Sequence, residues 1–157
     1  MDFRITGLSP EPFAPLYGMP EAELTARGIR RVRADADAST SYPDRIEMRH
    51  ARPGETLLLL NHVSQPAATP YRATHAIYVR EGACETYDRV NVVPDVMRIR
   101  LLSLRAFDAD GMIVDADVVE GADLEPAIAR LLADPRAAYL HVHNAKRGCY
   151  SGRIERA

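Results

Sequence analysis

Tryptophan is absent, lysine occurs once, at Lys146, and cysteine only at Cys84 and Cys149 in 157 residues. Two cysteines are too few for a disulfide framework, so both read as thiols in a reducing compartment. No apolar run approaches the ~20 residues that span a bilayer. The opening Met-Asp-Phe-Arg lacks a basic-then-apolar export signal, and a cytoplasmic location is expected. Charge of one sign is lacking too. With 20 basic and 22 acidic residues the formal net charge is −2, which argues against a general binder of nucleic acid or membrane surfaces. The chain has no phosphate-cradling glycine loop, no dinucleotide fingerprint and no Gly-x-Ser-x-Gly elbow. Repeats, low-complexity tracts and dividing linkers are missing as well.

What is present fits one globular domain. Hydrophobic residues make up 46% and charged residues 27%, far from the disordered corner of composition. A single domain of this length buries roughly 70% of the surface its unfolded chain exposes. The arginine-rich, lysine-poor basic set has two readings, codon bias in a GC-rich bacterial genome and, as the lesser one, arginine selected for anion binding.

Periodicity and breakers point to an α+β fold, a mostly antiparallel sheet of six or seven strands with two or three short helices. Phe3–Leu8 and Ile29–Arg33 read as strands. Pro20–Arg27 reads as a two-turn helix with Pro20 at its first position, and Gly28 ends it. Asp35–Asp44 is small, polar and acidic, and is expected to be a mobile loop. Arg45–Ala51 alternates, with Ile46, Met48 and His50 on one face. After a type II turn at Arg52-Pro53-Gly54-Glu55, Leu57–Leu60 is apolar on both faces and belongs inside a sheet. Ser64–Ala73, with Pro66 and Pro70, is an irregular connection to a strand over Thr74–Arg80. Pro94 opens a short helix to about Arg100.

The C-terminal third is the most legible. Leu102–Asp108 and Met112–Val119 form a hairpin around Ala109-Asp110-Gly111, with Asp108 opposite Met112. Continued without interruption, that register pairs Ala106 with Val114, Leu104 with Ala116, Arg105 with Asp115 and Ser103 with Asp117. A slip by one would set Leu104 opposite Asp117 and mix the faces. Asp123 caps a helix through Ala133 whose apolar stripe is Leu124, Ile128, Leu131 and Leu132. It crosses over to a strand at Ala138–Asn144, where Leu140 and Val142 point one way and Tyr139, His141 and His143 the other. A last strand, Cys149–Arg156, follows a turn near Lys146-Arg147-Gly148. Matching faces sends Tyr150 and Ile154 to the core and Cys149 and Ser151 to the histidines. Arg105, Asp115, Asp117, His141, His143 and Cys149 are then expected on one polar sheet face.

The runs LLSLRAFDADGMIVDADVVEG (Leu101–Gly121) and AYLHVHNAKRGCY (Ala138–Tyr150) carry a resemblance. So do FRITGL, LLLLNH and PYRATHAIYVRE. Together they cover nearly the whole chain, which resembles the bacterial domain-of-unknown-function family numbered 1203. The resemblance implies a small bacterial domain and no particular reaction. It departs at Pro43-Asp44-Arg45, where Pro-Cys-Arg is common in that family, which weakens any role for a thiol there.

Several constellations could carry chemistry. His141 and His143 project from one strand face at a spacing found in strand-borne metal sites, and Asp115, Asp117 or Cys149 could add a third ligand. An antiparallel sheet with one wet face produces the same pattern. Cys149 beside His143 could be a nucleophile, with Asp115 or Asp117 orienting the imidazole. A cross-strand ion pair between Arg105 and Asp115 would compete for that carboxylate. Asp108-Ala109-Asp110-Gly111 resembles the start of a calcium loop, but Ala106 stands where the first acid is needed and Asp117 where the closing glutamate is. His62 and His75 flank the proline-rich connection, with Tyr71 and Arg72 between them at a potential pocket mouth. The expected function is binding of a small anionic molecule at the polar face, with or without action on it. Arg105, Asp117, Tyr71 and Arg72 would hold the ligand, and His143, His141, Cys149 and Asp115 would do the chemistry. The competing expectation is a non-catalytic interaction module or oligomer subunit whose wet face docks a partner, such as a second copy of the chain.

Overall fold

In the computed structural model, residues 1–36 and 41–157 are described. Among the described residues nine strands form two antiparallel sheets. The larger contains β1 (Phe3–Thr6), β5 (Asp88–Val90), β6 (Leu101–Phe107), β7 (Ile113–Glu120), β8 (Tyr139–Asn144) and β9 (Tyr150–Arg156), in the order β5-β1-β9-β8-β6-β7. The smaller has the order β2-β3-β4, from β2 (Arg30–Arg33), β3 (Thr56–Gln65) and β4 (Ala73–Arg80). The helices are α1 (Glu21–Ala26), α2 (Asp95–Arg98) and α3 (Leu124–Ala133). The α+β class and the antiparallel character agree with the sequence; the division into two sheets is new.

The layers follow from side-chain chemistry. The helix α3 buries Leu124, Ile128, Leu131 and Leu132, the stripe its spacing implies, against Leu102, Leu104, Ala106, Leu140, Val142 and Ile154 of the large sheet. Each such side chain taken from water contributes about 1.5–3 kcal/mol. Asp123 stands at the N-cap position, but its side chain makes no capping hydrogen bond. The chain enters α3 through Gly121, where a Cβ would lie 2.0 Å from the Met97 carbonyl oxygen, so only glycine fits between β7 and α2. The inner face of the small sheet, with Leu58, Leu60, Ile77 and Val79, packs with Phe13, Leu24, Ile29, Ile46 and Tyr150. The order is therefore α2 and α3, large sheet, small sheet, with α1 packed beside the small sheet.

Two bulges reassign faces. At the β6–β7 turn the expectation holds locally: Gly111 has φ +86°, and Asp108 N donates to Met112 O at 2.9 Å. Asp108 Oδ1 accepts from Asp110 N and Met112 N, so the carboxylate closes the turn and leaves no calcium loop. Beyond Phe107↔Ile113 the register shifts, giving Ala106↔Asp115, Arg105↔Ala116 and Leu104↔Asp117. This is the slipped pairing, reached by one extra residue at Val114. Val114 and Val119 differ by an odd number of positions, and the bulge lets both pack on the helix-side core. Asp115 and Asp117 are thereby carried to the helix side, where Arg130 meets them at 3.0 and 2.7 Å. In the β8–β9 pair the register shifts between Val142↔Gly152 and His143↔Tyr150. That shift turns Tyr150, not Cys149 or Ser151, toward the histidines.

Three local expectations are corrected. Arg45–Ala51 is not a strand: Met48 has φ 53°, Ile46 joins the core under the small sheet and Met48 the core under α3, so the alternation marks a crossing between two cores. Pro20 occupies the N-cap of α1 rather than its first turn. The loop expected over Asp35–Asp44 falls partly on residues 37–40, outside the described residues, and its last member, Asp44, is only 1% exposed.

Candidate functional site

The polar face is not wet. His141 and His143 are 4% and 2% exposed, because the small sheet covers them. His75 of β4 meets His143 edge-on at 4.7 Å between ring centroids, and His62 of β3 lies 6.0 Å from Tyr150. Phe107, Tyr139 and Tyr150 complete an aromatic lattice around His141, with centroids 5.0–5.2 Å away. Burial, then His143, Arg153, Arg105 and His75, push His141 down to about 3. Burial and Arg105 push His143 down to about 4. His75 and His62 are lowered too, mainly by burial. All four imidazoles are neutral near pH 7. The His143 ring nitrogen Nδ1 lies 3.0 Å from the Gly148 carbonyl oxygen, which can only accept, so Nδ1 carries the proton.

Arg105 shares this face, opposite His141, and burial lowers it as well. The expected Arg105–Asp115 pair does not form, since the bulge places Asp115 on the other side. His141 and His143 therefore have neither Asp115 nor Asp117 beside them. Cys149 points to a different group. Among the described residues no cluster of three or more His, Cys, Asp or Glu could hold a metal ion. Tyr71 and Arg72 are exposed. Tyr71 packs edge-on against Phe107 at 6.4 Å, and Arg72 donates to the Pro66 carbonyl, so neither converges on a ligand space with His62.

The convergence occurs at one end of the inter-sheet space. A pocket of about 640 Å³ opens there, lined by Arg45, Cys149 and Asn144 at its base and by Tyr42, His75 and Tyr78 on the small-sheet side. The β8–β9 turn supplies Lys146 and Arg147, both exposed, and Arg100 closes another wall. That turn is fixed by Asn144 N donating to Cys149 O at 2.9 Å and Gly148 N donating to Asn144 O at 2.7 Å. Arg100 donates to the Val96 carbonyl oxygen and meets His50 Nε2 at 3.0 Å. A second, more open hollow of about 460 Å³ lies beside α1, but its Arg31 is already held by Glu21 and Glu81.

Arg45 is the unusual residue. It is 3% exposed, and its Nε donates to Tyr150 O at 2.8 Å while Nη1 donates to Pro43 O. Its Nη2 donates to Cys149 Sγ at 3.3 Å, and Asn144 Nδ2 donates to the same sulfur at 3.2 Å. Among the described residues no carboxylate hydrogen-bonds the guanidinium. Asp44 acts on it only through space, its two oxygens committed to the amides of Arg80 at 2.8 Å and Glu47 at 2.7 Å. Burial lowers Arg45 and raises Asp44, and the Cys149 sulfur is the first opposing influence on Arg45.

Sequence reasoning placed Cys149 in a site but missed Arg45 and Asn144. Arg45 looked like the polar member of an alternating strand. The signal that could have found it was the Pro-x-Arg segment at Pro43–Arg45, where the resemblance itself had marked a family motif.

A family model described as a protein of unknown function, DUF1203, matches residues 41–156. No curated protein and no solved structure matches the chain.

Proposed function

The chain belongs to the DUF1203 family, and from its pocket we propose that the protein binds a small anionic molecule between the ends of its two sheets. The observation that carries this reading is the charge of the lining. Arg45, Arg100, Lys146 and Arg147 converge on one hollow whose described lining holds no carboxylate. The buried Arg45 at the base acts through a low dielectric, and the exposed cations at the rim steer anions inward. The volume of about 640 Å³ suits a small molecule. The anchoring role expected of Arg105 passes to Arg45 and the rim, and Cys149 remains the group able to act on the ligand. The competing reading, an interaction module or oligomer subunit, would need a surface other than the histidine face, which the small sheet covers.

No helix among the described residues is long and apolar enough to cross a membrane. Two unpaired thiols support a reducing, cytoplasmic setting, and the lysine-poor composition supports a bacterial one.

The test is thermal unfolding in sodium phosphate against sodium chloride of equal ionic strength. Phosphate should raise Tm in the native protein and do so far less after Lys146→Glu with Arg147→Glu. Equal Tm in both salts, or an unchanged phosphate effect in the double variant, would sink the reading.

A further inference from the structure

We propose that Cys149 is a thiolate nucleophile, held in that form by Arg45 and Asn144, and that it undergoes thiol–disulfide exchange with small anionic disulfides entering the pocket. The identity of the partner class rests on the anion-binding reading; the state of the sulfur does not. Two N–H donors converge on Sγ, at 3.3 Å from Arg45 and 3.2 Å from Asn144. Arginine stays protonated in proteins, and a buried guanidinium without an anion in contact is strongly disfavoured. The other direct contacts of Arg45 are the neutral carbonyls of Pro43 and Tyr150. Among the described residues the sulfur is therefore the one group in contact with Arg45 that can carry a balancing charge, as a thiolate, while Asp44 acts only through space. Cys149 is also half-buried on the pocket wall, so the sulfur faces ligand space rather than packed core.

The surroundings select the reaction. In exchange, Cys149 Sγ attacks one sulfur of the incoming disulfide. A new S–S bond forms as the old one breaks, and the second sulfur leaves as a thiolate with the bonding pair. One disulfide and one thiolate are consumed and one of each is made, so no outside oxidant or proton donor is required. That suits a site whose described lining offers no carboxylic acid, and whose His75 has Nδ1 2.6 Å from Ser64 Oγ. Lys146 and Arg147 at the rim favour an anionic disulfide and stabilise the thiolate that departs.

Cys84 is the internal control. It is exposed, lies between Glu81 and Glu85 in the chain, and donates its backbone N–H to Glu47. Cys84→Ser and Cys149→Ser proteins, each with one thiol, are treated with the dianionic disulfide of thionitrobenzoate and with neutral dithiodipyridine. Cys149 should react at least ~10-fold faster than Cys84 with the neutral reagent, and its advantage should widen with the dianion. Asn144→Ala, which removes one donor without emptying the core, should slow Cys149 toward Cys84 with both reagents. Lys146→Glu with Arg147→Glu should slow the dianion alone. A Cys149 no faster than Cys84 with the neutral reagent overturns the thiolate, even where phosphate still stabilises the protein. A fast Cys149 that shows no preference for the dianion overturns the choice of partner class and, if phosphate also fails to stabilise, the anion-binding reading with it.

Discussion

The two faces of the large sheet are both buried, but by opposite chemistries. Toward α3 the strands show Leu102, Leu104, Ala106, Leu140, Val142 and Ile154. Toward the small sheet they show Arg105 and the rings of Phe107, Tyr139, His141, His143 and Tyr150, which pack against one another. The first face is stabilised mainly by apolar area, with exposed ion pairs at its rim. The second removes imidazoles from water and keeps them neutral, which makes its stability depend on pH. The difference shows that polar residues at alternate strand positions are not evidence of solvent, because a second sheet can cover them when their partners are aromatic.

The helix-side face should give the largest single loss. Leu104→Ala leaves a cavity under α3, and urea unfolding should show about 2–5 kcal/mol less stability at any pH where the protein folds. An equal loss only at acid pH would break the distinction between the faces.

The histidine face should give the next largest effect, and with a definite sign. His141 has a folded value of about 3, below the ~6.5 of the unfolded chain. Between those values the unfolded state binds the extra proton, so stability is complete above pH 6.5 and declines as pH falls toward 3. At pH 5 that linkage amounts to about 2 kcal/mol for His141, with a further loss from His143. Urea midpoints at pH 7 and 5 should therefore differ clearly, and His141→Leu should narrow the gap. A gap unchanged by that substitution would place the acid sensitivity elsewhere.

The smallest effect is expected where the bulge carried the carboxylates. Arg130 and its partners Asp115 and Asp117 are 51%, 43% and 39% exposed, and solvent-screened pairs contribute little. Arg130→Ala should leave the unfolding midpoint nearly unchanged. A large loss would mean that the ion pairs, rather than Val114 and Val119, hold the slipped register.

Much of the fold was legible. The α3 stripe, the turns at Gly111 and around Lys146–Gly148, and the run Leu57–Leu60 are local patterns, and each appears where its period or turn chemistry put it. The candidate site was only half legible. Cys149, Lys146 and Arg147 come from one turn and were visible together. Arg45 comes from a segment about a hundred positions away, and no periodicity reports such a meeting.

The amino-acid sequence by itself determined most of the elements, because turn and burial preferences act over a few residues. It also determined that the chain is rich in arginine and poor in free thiols. Only the tertiary structure decided which faces meet. One extra residue at Val114 and another near Ser151 shift every later side chain to the opposite face, and a bulge changes the pairing without changing the local pattern that a sequence displays. The covering of the histidines by the small sheet, and the contact of Arg45 with Cys149, were settled at that level. Both depend on long-range packing that balances buried charge and apolar area across segments distant in the chain.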